Sequence, residues 1–65
     1  MPEIHVFMVK GRSNDEKKNF MRALTQAVND HLGYPIEGTT VQLFETPLED
    51  KMKGGFTYVE KYGKV

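Results

Sequence analysis

The residue with the most chemical consequence in this sequence is Pro2, directly behind Met1. An internal proline has no N–H, and its nitrogen is tied up in an amide. Once Met1 is removed, Pro2 becomes an N-terminal secondary amine, a base that no internal residue can imitate. An α-amino group titrates near about 8 in peptides, and burial or a nearby cation brings that value toward neutrality. A base poised near the working pH is what proton-transfer catalysis needs. If Met1 stays in place, Pro2 is only the first residue of a strand, a position where proline is tolerated.

Other polar residues offer less. Ser13 has no histidine near it in sequence to activate it as a nucleophile, and it stands where a helix cap belongs. His5 falls in a strand and reads as a packing or interface residue. His31 falls in the apolar stripe of a helix near its C-terminus, where the dipole favours a charged imidazole. Arg12 precedes a helix N-terminus, where the dipole disfavours a cation; its presence there asks for another reason.

These residues sit in a chain of 65, enough for one domain spanning residues 1–65. A chain of this size buries only about 60% of its unfolded surface and is marginal alone. Without cysteine there is no disulfide and no thiolate metal site, and two histidines are too few for a His-only zinc site. No metal or cofactor is expected. Below about 70–80 residues association is a common route to stability, so a homo-oligomer is expected. Nine basic and nine acidic residues are interspersed at zero net charge, which lacks the basic footprint of a nucleic-acid binder. No signal-peptide core or membrane-length apolar run occurs, and a cytoplasmic protein is expected.

The elements that position these residues follow from periodicity. Residues 3–9 alternate as a strand, with Ile4, Val6 and Met8 on one face and His5, Phe7 and Val9 on the other. Apolar groups on both faces suit a strand covered on both sides, by a helix or by another subunit. Lys10-Gly11-Arg12 forms a turn. Ser13 and Glu16 have capping-box spacing, and the helix they open runs from about Asn14 to Leu32. Its stripe is Phe20, Met21, Leu24, Ala27, Val28 and Leu32, with Lys18, Arg22, Gln26 and Asn29 opposite. Gly33 and Pro35 stop it.

Residues 39–46 read as a second strand, with Val41 and Leu43 on one face, Thr40, Gln42 and Phe44 on the other, and Pro47 ending it. A strand, a long helix and a strand make a single βαβ unit, parallel with a right-handed crossover. The fold class is α/β, α+β by some schemes. In the tail, Leu48–Lys53 reads as a turn or short 3₁₀ segment, Gly54-Gly55 as a sharp turn, and Phe56–Val59 as a strand. This C-terminal hairpin or short strand is expected to pair with a neighbouring subunit, with Phe56, Tyr58 and Tyr62 at an interface.

Taken together, Met1-Pro2, Gly11-Arg12-Ser13, Leu32-Gly33-Tyr34-Pro35, a glutamate near the end of the second strand and Gly54-Gly55 resemble the 4-oxalocrotonate tautomerase family over residues 1–55. The resemblance implies small βαβ subunits assembled as hexamers or related oligomers. It implies an isomerase in which Pro2 shuttles a proton as general base and then acid, interconverting enol and keto forms of an unsaturated 2-oxo acid. Arg12 matches the family's first arginine, which binds a substrate carboxylate; a guanidinium fork fits that role and would help keep the prolyl nitrogen unprotonated.

Two positions depart from the family pattern. Thr40 stands where a second arginine is usual, and Lys51 stands where an aromatic residue usually lines the site. Lys51 or Lys53 would supply a replacement cation as a point charge. Phe44 is expected in the apolar wall. Related decarboxylases and hydratases of the superfamily imply an alternative, with Pro2 protonated and acting as an acid. A retained Met1 would instead leave a non-catalytic oligomeric module.

Overall fold

The computed structural model describes residues 2–63; Met1, whose removal frees the Pro2 nitrogen, lies outside the described residues. Strand β1 (Glu3–Val9) leads to helix α1 (Asn14–Leu32), a 3₁₀ turn at Ile36–Gly38 and strand β2 (Thr40–Thr46). A second 3₁₀ turn, Leu48–Asp50, precedes strands β3 (Met52–Lys53) and β4 (Phe56–Thr57) and the short helix α2 (Tyr58–Tyr62).

β1 and β2 pair in parallel with Glu3 opposite Thr40 and Val9 opposite Thr46, the βαβ unit that the sequence implies. The ladder continues past both ends: Thr40 N–H donates to Pro2 O at 3.2 Å, and Lys10 N–H donates to Thr46 O at 2.9 Å. The register puts Ile4 beside Val41 and Val6 beside Leu43 on one face, all half-buried. Glu45 shares that face and accepts from Lys17 Nζ at 2.8 Å, which fixes the first turns of α1 across the sheet.

α1 begins as its sequence dictates. Ser13 Oγ accepts from Glu16 N–H at 3.2 Å, and Glu16 Oε1 accepts from Ser13 N–H at 3.1 Å. Gly33 ends the helix in the left-handed region at φ 69°, donating its N–H to Asn29 O.

The buried face of α1 is narrower than the apolar stripe. Met21, Leu24 and Val28 are half-buried, whereas Ala27 and His31 are exposed, Phe20 is 41% exposed and Leu32 is 71% exposed. Leu32 and His31 belong to the last turn of α1, beyond the half-buried run of Met21, Leu24 and Val28. Asn29, assigned to the outer side by its polarity, is half-buried because its side-chain amide donates to Tyr34 O at 2.9 Å.

The tail differs from the expectation in one respect. The strand at Phe56 ends after two residues and becomes α2, because Thr57 and Glu60 form a second capping box: Glu60 N–H donates to Thr57 Oγ1 at 3.2 Å and Thr57 N–H to Glu60 Oε1 at 2.7 Å. The expected C-terminal hairpin forms. Lys53 pairs with Phe56 across the Gly54-Gly55 turn, and Tyr58 N–H donates to Lys51 O at 2.8 Å.

The result is a slab of 42 × 24 × 14 Å with a radius of gyration of 14.9 Å, against about 11 Å for a compact domain of this length. Leu48 is the one buried hydrophobic side chain among the described residues. The sheet face away from α1 is open: Phe7 is 73% exposed and stacks on Phe44 with ring centroids 4.9 Å apart.

A Cβ at Gly33 would meet nothing within 4 Å, so only backbone strain opposes substitution. Gly33→Ala is expected to lose about 1–2 kcal/mol in chemical denaturation, with Gly33→Asn losing less because asparagine tolerates the left-handed region.

Candidate functional site

Pro2 opens the ladder. It is half-buried, its carbonyl is held by Thr40 N–H, and Thr40 itself is exposed beside it. Its nitrogen thus stands at the start of a strand whose next residue is already registered against β2.

Arg12 stands at the other end. Between Pro2 and Lys10 the strand advances eight steps of about 3.3 Å, or about 26 Å, before the turn at Gly11. One chain cannot place both residues on one small molecule. The structure thus separates the two sequence-assigned catalytic residues within a subunit.

Arg12 lines a cavity of about 360 Å³ together with Met8, Glu16, Lys17 and Phe20. Met8 comes from the end of β1, and the other three line the first turns of α1. Arg12 Nη1 lies 3.8 Å from Glu16 Oε2, and Lys17 Nζ lies 2.8 Å from Glu45 Oε1. Each cation of the cavity therefore faces a carboxylate. Arg12 is 67% exposed at its side chain while Lys17 is only 21% exposed, so Arg12 is the cation free to turn toward a ligand.

Hydrogen bonding from the Ser13 backbone N–H, then from the Ser13 hydroxyl, holds the Glu16 carboxyl below its ordinary range, with a smaller pull from Arg12 and a modest opposing effect of desolvation. Glu60 is lowered in the same way by Thr57.

The remaining sequence-assigned residues lie elsewhere. Phe44 stacks on Phe7 and meets His5 edge-on at 5.3 Å, on the sheet face opposite Glu45 and α1. His5 Nε2 lies 2.6 Å from Glu3 Oε2 on that face. Lys51 belongs to the tail, its ammonium 5.5 Å from the centre of the Tyr58 ring, and Lys53 is exposed in β3. Sequence reasoning missed the Lys17–Glu45 pair, since nothing local links residues 28 positions apart. It also missed α2, for which the Thr57/Glu60 spacing was an available signal. Among the described residues no cluster of three or more His, Asp or Glu could hold a metal ion, and no helix is long and apolar enough to cross a membrane.

The profile of the family described as tautomerase enzyme matches residues 2–56. The chain belongs to this tautomerase family. A probable tautomerase of Bradyrhizobium diazoefficiens is 46% identical over 61 residues, covering 94% of this chain and 91% of the relative. The crystal structure of TomN, described as a 4-oxalocrotonate tautomerase homologue in the tomaymycin biosynthetic pathway, superposes with a TM-score of 0.87 at 38% identity, covering 92% of each chain. A heterohexameric 4-oxalocrotonate tautomerase of Chloroflexus aurantiacus superposes with a TM-score of 0.85 at 27% identity, over 92% of this chain and 97% of that one. The tautomerase described above is thus an isomerase of the 4-oxalocrotonate tautomerase type.

The lowered Glu16 carboxyl makes a pH prediction. Because its folded value lies below its unfolded one, its contribution is present above the unfolded value and is lost as pH falls through the folded value. Ser13→Ala removes the donating hydroxyl and is expected to move the Glu16 midpoint upward, toward ordinary glutamate, in a carboxyl ¹³C NMR titration.

Proposed function

We propose that this tautomerase interconverts enol and keto forms of an unsaturated 2-oxo acid, using Pro2 as base and then acid in a site shared between subunits. The observation that carries the reading is the placement of Pro2 and Arg12 at opposite ends of one registered strand in a chain of this family. A second copy laid antiparallel brings one copy's Pro2 to the other's Arg12. The open Phe7/Phe44 face, and a single buried side chain among the described residues, give the chain a physical reason to associate. The hexamer named for the Chloroflexus relative makes a homohexamer the form proposed here. One domain over residues 1–65 and a cytoplasmic location complete the reading.

In the reaction, the Pro2 amine takes the enol hydroxyl proton as the carbonyl forms, and a proton returns from the amine to the substrate carbon. The two transfers balance, and no electron acceptor enters. Arg12 binds the carboxylate and offsets charge developing on oxygen, the kind of stabilisation that dominates many enzyme barriers. Thr40, beside Pro2, borders the substrate. Phe44 and Lys51 reach the site only if a neighbouring subunit places them there.

Two measurements test the mechanism. The intact mass of protein from its native cell is expected to lack Met1, and Pro2→Ala is expected to lower turnover of a simple 2-oxo acid enol by about 10²-fold or more. A retained methionine, or unchanged turnover in the variant, overturns it. The rate is expected to rise with pH as the amine deprotonates; a falling limb would indicate the acid chemistry of the alternative. For assembly, Phe7→Asp puts a charge on the open apolar face and is expected to shift the protein to smaller species in sedimentation velocity.

A further inference from the structure

The Arg12 cavity carries its own anion. Glu16 Oε1 accepts from Ser13 N–H at 3.1 Å and from Ser13 Oγ–H at 3.3 Å, so the carboxylate is tethered by the helix cap and cannot swing away without undoing it. Its second oxygen, Oε2, is the one 3.8 Å from Arg12 Nη1. The other cation lining the cavity, Lys17, is held at 2.8 Å by Glu45, with both side chains about one-fifth exposed. The remaining lining, Met8 and Phe20, is apolar. The cavity therefore offers one guanidinium able to take a carboxylate, next to a fixed negative charge and an apolar floor.

We propose that Glu16 is a specificity-determining residue that biases this tautomerase toward 2-oxo acids with one carboxylate and an apolar substituent, by repelling a second carboxylate from the Arg12 cavity. The proposal rests on the tautomerase reading given above. A first carboxylate engages Arg12 through the face of the fork turned away from Glu16, and the apolar substituent lies on Met8 and Phe20. A second carboxylate would have to settle beside Glu16 or displace Glu45 from Lys17, and both arrangements put like charges together. Because Glu16 is solvent-accessible, the repulsion is screened and modest. It acts as a preference between substrates rather than an absolute block.

The same geometry supplies a substitution that separates cap from charge. Glutamine serves at the third position of a capping box as glutamate does, so Glu16→Gln keeps the tether to Ser13 and removes the anion. The test measures kcat/KM for two enols: that of phenylpyruvate, with one carboxylate and an aryl group, and 2-hydroxymuconate, with two carboxylates. The wild-type protein is expected to favour the monoacid by about tenfold, and Glu16→Gln to narrow that ratio by about three- to tenfold, through KM for the diacid rather than through kcat. The melting temperature is expected to fall by no more than about 5 °C, for the loss of one exposed charge at a helix N-terminus with the cap hydrogen bonds kept. Rising salt is expected to narrow the wild-type ratio and to leave that of the variant nearly unchanged. A wild-type preference for the diacid, or a ratio that Glu16→Gln leaves alone, overturns the proposal while the tautomerase reading stands. Turnover of neither enol overturns both.

Discussion

The parallel ladder between β1 and β2 is the constraint on which everything else in this subunit depends. It fixes Pro2 at one end through Thr40 N–H and delivers the chain to Gly11 and Arg12 at the other through the Lys10–Thr46 bond. Because the strand is registered along its whole length, the separation of the two ends is a matter of rise per residue rather than of side-chain choice. The division of chemistry between chains proposed above thus follows from the length of one strand.

Around that ladder the polar contacts sort into two kinds. Lys17 with Glu45 joins helix to sheet in a half-buried setting, where partners are screened less and geometry is tighter. Arg12 with Glu16 is long and exposed, a pair of the sort that contributes little to stability. That contrast suits a division of labour, in which the tight pair holds the scaffold and the loose one leaves a guanidinium available. Glu16 belongs to both kinds, since one oxygen caps α1 and the other faces the cavity.

Much of this was legible in the sequence because it is encoded locally. Ser13 with Glu16 and then Gly33 mark both ends of α1, and alternation marks β1 and β2. Pro2 and Arg12 stood out by chemistry and position. The misreadings arose where a local signal competed with another. Phe56, Tyr58 and Val59 have strand composition, but the Thr57/Glu60 cap turns the chain into a helix after Thr57. Asn29 looks like a surface residue until the Tyr34 carbonyl is brought to it by the turn beyond Gly33. Leu32 fits the stripe, yet in the last turn of α1 it is left largely exposed. The cavity was not readable at all, because Met8, Phe20 and the Glu45 that holds Lys17 meet only after the strands are registered.

The two-stranded sheet has a consequence beyond the candidate site. With two strands in it, both β1 and β2 are edge strands, and each turns a row of backbone donors and acceptors outward along its free side. Such rows are templates for further strands, whether from the correct neighbour or from any extended chain nearby. An ordered assembly would satisfy them and retire the hazard. A lone subunit, with Phe7 exposed and stacked on the half-buried Phe44 beside the same edges, would hold the means of both correct association and aggregation.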